Sequence, residues 1–370
     1  MRLDAKMVIP ILAFVASLAV ATWALYDGYG SGGERLRASV VAVDSSDISE
    51  HGLMKYGTET LDVMLLEGPR KGERHKASNV VRAQMELDNF YLVGDTILVT
   101  APTEEGENCM LVARTPWRAG KMAAAFAVFA ILLIAFGSIV GINALTSFIL
   151  CAATIWKVVV PMVLSGVDPS LVAFAATSLM TGVIMLLVGG LTRKALAAFL
   201  GSMLGVVAAL GLAHLFGALM DINGATLPFA QALVYSGFAK INLADLFIAA
   251  TIIAASGAMM DLAMDIAAGA AEVALHNQAI SKKELFFSAL RIGRACVGTM
   301  TTTLLLAYSG GFLTLLMVFF AEGIPPAEFI NSPIVAAEVV KTLVGSFAIV
   351  LVAPFTAFVS SVLFPTTSRF

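Results

Sequence analysis

Charge is scarce in this 370-residue sequence: 13% of its residues are charged, whereas 59% are hydrophobic. Soluble globular domains usually carry about 25% charged residues. The composition therefore excludes an ordinary soluble protein and predicts a membrane protein with many spans. The net charge is −3 and no long basic run is present, so nothing supports nucleic-acid binding.

Cysteine is equally scarce, with three in the whole chain. Cys151 and Cys296 fall in apolar segments and Cys109 stands alone in a polar region, which excludes a disulfide framework or a CxxC metal pair. The sequence also lacks HExxH and GxSxG motifs and the glycine-flanked aspartate pair of intramembrane enzymes. We therefore expect no enzyme activity and no cofactor other than a bound cation.

The first apolar run covers residues 7–26, about the length that crosses a bilayer. Its segment Ala19-Val20-Ala21 also fits a signal-peptidase site. We expect residues 1–26 to be a retained membrane anchor, because the run is long for a signal core and continues through Trp23 and Leu25.

Residues 27–117 form the one long polar segment. Apolar and polar residues alternate from Leu36 to Ala42, as in a half-buried strand. Four further strand candidates lie between breaks that contain glycine or proline, at 60–66, 76–83, 95–100 and 110–114. Five short strands predict a small OB-like β-barrel, which we expect outside the cytoplasm because the basic head of the anchor stays inside.

Residues 118–370 contain a series of apolar segments, each of which predicts a helix. The predicted spans are 121–140, 143–164, 170–191, 195–219, 243–260, 297–320 and 334–364, which with the anchor gives about eight transmembrane helices. Arg193-Lys194 and Lys282-Lys283 then fall on the same side, and the positive-inside rule makes that side, with both termini, cytoplasmic. The short apolar segment 224–241 is either a re-entrant helix or an extracytoplasmic loop.

An acidic motif interrupts the apolar run after residue 243. At 100° per residue, Asp265 and Glu272 lie within about 40° of Asp261 on one helix face. Neighbouring carboxylates repel unless a cation, a proton or an arginine lies between them. We predict a site for a cation or a proton that faces inward, with Asp261 and Asp265 as the metal ligands. The alternative is a span that ends near Met260 and continues as a cytoplasmic amphipathic helix.

An arginine and four threonines open the next apolar helix. Arg294 is a natural partner for the acidic motif or for Glu338, because guanidinium binds carboxylate in a bidentate manner. Threonine hydroxyls either line a path here or bond to their own helix turn. The four are Thr299, Thr301, Thr302 and Thr303.

Glu338 and Lys341 form a third polar cluster, at i and i+3 near the start of the last span. Either they are a local ion pair, or Glu338 lines the same path as the threonines. Lys157, Lys240 and Asp245 are weaker candidates, which suit snorkelling to the membrane interface.

Several segments of the membrane region resemble the YibE/F-like family of bacterial multi-pass membrane proteins. These are residues 257–266, 283–286, 292–301, 303–308, 337–346 and 352–357. The resemblance implies a bacterial inner-membrane protein with an exported β domain after one anchor. Two departures are that Ala295 stands where the family leads us to expect aspartate, and Thr302 where asparagine is common.

The leading hypothesis is a channel or secondary transporter for an ion or small solute. Asp261, Asp265 and Glu272 would handle its charge, and Arg294 would be their counter-ion. The competing hypothesis is a scaffold whose exported β domain binds a partner. The expected partners are the lipid bilayer and the transported species, and a homo-oligomer is compatible with either hypothesis.

Overall fold

The structure is a computed structural model that describes residues 5–26, 35–52, 54–85, 87–100 and 110–364. The strands within this part of the chain are β1 (Arg35–Asp44), β2 (Ile48–His51), β3 (Met54–Leu65), β4 (Arg74–Arg82), β5 (Thr96–Thr100) and β6 (Leu111–Pro116). The helices are α1 (Ala5–Tyr26), α2 (Ala119–Thr154), α3 (Val160–Leu164), α4 (Pro169–Gly189), α5 (Arg193–Leu219), α6 (Ala230–Leu233), α7 (Leu243–His276), α8 (Lys282–Gly311), α9 (Leu313–Ala321), α10 (Pro326–Asn331) and α11 (Pro333–Leu363).

The chain divides into two compact units. One comprises Asp27–Leu132, and the other comprises Met1–Tyr26 with Leu133–Phe370. The first unit contains all the described strands and the beginning of α2, and the second contains the helical bundle.

Five strands of the first unit close into a barrel. β1 pairs with both β3 and β5, β6 joins β5 to β4, and β4 returns to β3. The β4–β6 pair is parallel and the others are antiparallel. Leu36, Ala38 and Val40 of β1 point into the core, as their alternation predicts. The five strands and the small barrel are therefore confirmed, and β2 is an additional short strand on β3.

Five helices of the described residues are long and apolar enough to cross a membrane. They are Ala119–Leu164, Pro169–Gly189, Arg193–Leu219, Leu243–His276 and Pro333–Leu363. α8 and α9 together make a sixth if this pair, bent by 61°, counts as one span. The several long apolar helices are as predicted, but this count is lower than the eight expected.

The first of these helical runs explains part of the difference in number. Its 46 residues would extend about 69 Å if straight, more than twice the apolar thickness of a bilayer. Ser138 interrupts it with φ 49° and ψ −123°. A side chain at Gly141 would collide with the Leu133 carbonyl oxygen, so the chain bends sharply here. The sequence predicted a break between two spans at this place.

Small residues allow close packing in the helical bundle. Gly201 and Gly205 of α5 lie against Thr356 and Val352 of α11. Met259 of α7 is fully buried beside them. Glycine at such crossings lets backbones approach and increases van der Waals contact. α5, α7, α8 and α11 thus form the core of the bundle.

The ambiguous segment 224–241 contains α6, followed by a π-helical turn at Val234–Phe238. Ile241 packs in a small apolar cluster with Val163 and Val172. The choice between a re-entrant helix and a loop remains a prediction.

Candidate functional site

The acidic motif lies on the exposed side of α7. Leu262 and Ile266 are fully buried in the bundle core, whereas Asp261, Asp265 and Glu272 are exposed. The three acids share a face, as the helical spacing requires, but the expectation that this face points inward is wrong. The alternating small and large apolar residues of α7 provide the packing face instead.

The acidic motif also lies near one end of the bundle. The Met264 methyl group is 2.9 Å from the position that a Cβ would take at Gly189, which is the last residue of α4. The basic pair Arg193-Lys194 opens α5 a few residues later. The acids are therefore level with a turn between helices, which agrees with the alternative of a span that ends near Met260.

Arg294 is exposed and has no ion pair within the described residues. On the same helix, Ile292 contacts Gly269 of α7, and Gly293 contacts both α7 and Ala353 of α11. Arg294 is rotated by about 100° from Gly293 around the axis of α8, which places it on the side away from α7. The predicted pairing of Arg294 with the acidic motif or with Glu338 is therefore wrong.

The four threonines of α8 form bonds within their own helix. Each hydroxyl donates to a backbone carbonyl three or four residues earlier, at 2.9–3.1 Å. This is the local bonding that the sequence left as the alternative to a path. Thr299, Thr302 and Thr303 are exposed, and Thr301 is half-buried.

Glu338 and Lys341 form an ion pair on α11. The Lys341 Nζ donates to both carboxylate oxygens at 3.0 Å, and each side chain is 23% exposed. The same ammonium lies 5.5 Å from the centroid of the Tyr308 ring of α8. The Tyr308 hydroxyl is buried and has no hydrogen-bond partner in the described part of the chain. The local ion pair is confirmed, and the structure adds a tyrosine to it.

A second polar group joins α5 to α7. The His214 Nε2 lies 3.8 Å from the Asp245 Oδ1, and the Asn242 Nδ2 donates to the other carboxylate oxygen at 2.5 Å. The His214 Nδ1 is 2.9 Å from the Leu210 carbonyl oxygen, so Nδ1 carries a proton and Nε2 faces the carboxylate. A cavity of ≈ 510 Å³ opens beside them.

Sequence analysis missed His214 and ranked Asp245 as a weak candidate. The two residues are far apart in the chain and meet through the packing of α5 on α7. The available signal was a histidine inside an apolar span, since ionisable residues in such spans usually mark functional positions.

These two polar groups lie in the same third of the bundle. Leu304 of α8 packs on Gly345 of α11, and Tyr308 and Lys341 are each one turn away from that contact in the same direction. Gly201 and Gly205 of α5 lie against Thr356 and Val352 of α11, and continuing this antiparallel register places His214 level with about residue 343 of α11. We call the following set the polar layer: His214, Asp245, Tyr308, Glu338 and Lys341.

Besides that of Tyr308, five buried hydroxyls of the bundle have no hydrogen-bond partner among the described residues: Ser170, Thr177, Ser202, Thr356 and Ser360. Thr356 sits against Gly201 at the crossing of α5 and α11. A buried hydroxyl left unpaired costs about 1–3 kcal/mol. Polar groups of this kind suit water or an ion as a hydrogen-bond partner.

No cluster of three or more His, Cys, Asp or Glu side chains suited to a metal occurs in the described residues. Asp261 and Asp265 supply a pair of carboxylates on an exposed face, and their role as metal ligands remains a prediction.

The fold and these sites define a class of protein: a bundle of apolar helices of membrane-spanning length that carries an N-terminal five-strand barrel. A family model described as YibE/F-like protein matches residues 125–366. The chain therefore belongs to the YibE/F-like family, as its motifs indicated. Searches of the curated proteins and of the solved structures found no match.

Proposed function

We propose that the chain is a bacterial inner-membrane protein that moves an ion or small solute across the bilayer and has no enzyme activity. Both termini and the acidic motif would be cytoplasmic. This orientation is supported by Arg193-Lys194, which lies at the level of the acidic motif, and by Lys282-Lys283 at the start of α8. The barrel, which we propose to be OB-like from its strand order, would lie outside.

The Glu338–Lys341 ion pair is the observation that carries this proposal. A charged group within an apolar span is costly unless it is paired, and such groups usually lie on a substrate or ion pathway. Here the Lys341 ammonium lies beside the ring of Tyr308, whose hydroxyl has no hydrogen-bond partner among the described residues. A cation that displaces the Lys341 ammonium, or a proton that neutralises Glu338, would break the pair and change the contact between α8 and α11.

The remaining polar groups extend a path from this layer. The unpaired hydroxyls of Ser202, Thr356 and Ser360 lie further along α5 and α11, towards the cytoplasmic end. At that end the exposed carboxylates of Asp261 and Asp265 would concentrate cations. A second copy of the chain that packs on the exposed side of α8, which includes Thr299, Thr302 and Thr303, would be compatible with this path.

A flux measurement in proteoliposomes tests the proposal. The purified protein is reconstituted, and the movement of protons, Na⁺, K⁺ and Mg²⁺ is followed with entrapped dyes. Wild-type protein should produce flux of at least one species above that of empty liposomes, and Glu338→Gln should reduce it. If wild-type protein gives no flux with any species, a scaffold that acts through its barrel becomes the better account.

A further inference from the structure

The loop between β4 and β5 exposes an unusual run of apolar side chains for a water-soluble barrel. Leu92 is 74% exposed and Val93 is 67% exposed. Neighbouring residues add to this surface, and the apolar loop is defined here as Met85, Leu87, Phe90, Leu92 and Val93. Contiguous apolar surface on a soluble domain marks a contact with a membrane, a ligand or another protein.

Hydrogen bonds hold the apolar loop in its exposed conformation. The Asp88 carboxylate accepts the Arg82 backbone N–H at 3.0 Å, and the Asp95 carboxylate accepts that of Leu92 at 2.8 Å. Tyr91 anchors the loop from the inside, with 2% of its surface exposed. The apolar side chains are thus presented by a well-supported loop, which reduces the entropy cost of docking.

The tip of the loop lies at the end of the barrel from which α2 leaves. The Trp117 backbone N–H donates to the Thr96 carbonyl at 2.8 Å, and α2 begins two residues after Trp117. A cavity of ≈ 490 Å³ is lined both by Gly94 with Thr96 and by the first turn of α2. Leu92 and Val93 are therefore next to the start of an apolar helix.

The start of α2 has the composition of a membrane interface. Trp117, Arg118 and Lys121 precede a continuous apolar stretch that begins at Met122. Tryptophan and basic residues are typical of the headgroup level, where they anchor spans. Arg118 and Lys121 also line the cavity beside the loop, and their charges suit a lipid phosphate.

We propose that the apolar loop docks on the bilayer, with Leu92 and Val93 inserted at the boundary between headgroups and acyl chains of the leaflet that α2 enters. Arg118 and Lys121 bind phosphate groups of the same leaflet. The barrel is then held on the lipid surface by α2 and by the loop, at two separate points. This inference depends on the membrane location proposed above and is independent of transport.

Site-directed spin labelling of the full-length protein in proteoliposomes tests the docking. Cys109, Cys151 and Cys296 are replaced by alanine, and a single label is attached at Leu92→Cys or Val93→Cys. Power saturation then compares collisions with oxygen, which concentrates in lipid, and with a nickel chelate, which stays in water. Two reference labels complete the set: Ile131→Cys in α2, which is 65% exposed, and Lys71→Cys in the exposed β3–β4 turn.

Labels at 92 and 93 should favour oxygen over the chelate, as the label at 131 does, whereas the label at 71 should favour the chelate. Docking is overturned if labels 92 and 93 resemble the label at 71. It is also overturned if they are shielded from both reagents, because a protein surface would then cover the loop. A water-exposed label at 131 would instead reject the membrane location of α2, so the two failures are distinguishable.

Discussion

The Lys341 Nζ lies 3.0 Å from both carboxylate oxygens of Glu338, one turn away on α11. Each side chain is about three-quarters buried, and the Tyr308 ring lies beside the ammonium. The two charges of this pair therefore balance each other within the bundle. The proposed transport path depends on this ion pair.

Removing one partner of the pair should destabilise the bundle. Loss of one partner of a buried ion pair costs about 3–5 kcal/mol, and the partial exposure here places the expected cost at the lower end. We expect Lys341→Met to lower the Tm in detergent, because it leaves Glu338 charged and unpaired. The double variant Glu338→Gln/Lys341→Met should recover part of the loss. Equal Tm values for wild type and Lys341→Met would contradict the pairing.

The crossing of α5 and α11 should tolerate no side chain at Gly201. A Cβ there would collide with Thr356, and overpacking typically costs about 1–3 kcal/mol. Gly201→Ala should therefore lower the Tm of the detergent-solubilised protein. Gly211→Ala is the matched control on the same helix, since a Cβ at Gly211 meets nothing within 4 Å. A similar loss in both variants would show that the crossing is not specifically tight.

The barrel should lose stability in strong alkali through Tyr91. Burial raises the pKa of Tyr91 to about 12, with a smaller contribution in the same direction from the Glu59 carboxylate and an opposing one from Arg118. Because the folded barrel favours the neutral phenol, this contribution is present below the unfolded pKa of about 10. It is lost as the pH rises through 12.

Ultraviolet titration of tyrosinate with a parallel Tm series checks this pH dependence. Tyr91→Phe should remove one late-titrating tyrosine and flatten the alkaline loss of stability. At neutral pH the variant should differ little from wild type, because the Tyr91 hydroxyl has no hydrogen-bond partner among the described residues. If Tyr91→Phe leaves the late part of the titration curve unchanged, the result would contradict the burial of the Tyr91 phenol in the barrel.

The barrel was the most predictable part of the fold. Strands such as β1 are predictable from alternating apolar and polar residues, because a half-buried strand has a period of two residues. β2 was not predicted, since Ile48–His51 is four residues long and mostly polar. The kink at Ser138 fell where two spans were expected to meet, although no proline marks it.

The candidate site was less predictable, because helical spacing identifies residues that share a face without indicating where the core lies. Asp261 and Asp265 do share a face, yet Leu262 and Ile266 occupy the core. Arg294 was assigned a partner from charge alone, and the packing of α8 turns it away from α7. The meeting of His214 with Asp245 depends on tertiary packing, which no local pattern contains.

The cavity beside His214 should contribute to the same path. We expect Asp245→Asn to reduce flux less than Glu338→Gln does. The Asp245 carboxylate accepts a hydrogen bond from the Asn242 amide and lies 3.8 Å from His214, whereas Glu338 balances the full charge of Lys341. The measurement is the initial rate in proteoliposomes, and a rate for Asp245→Asn equal to that of wild type would remove the cavity from the path.

The most direct test of the central claim compares two glutamates in the same flux assay. Glu338 is paired within the polar layer, whereas Glu272 is 70% exposed near the end of α7. After reconstitution at equal protein density, the account predicts that Glu338→Gln lowers the initial flux at least tenfold, while Glu272→Gln retains most of it. Equal rates for Glu338→Gln and wild type, in protein that remains folded in the liposomes, would contradict the claim that the polar layer lies on the transport path.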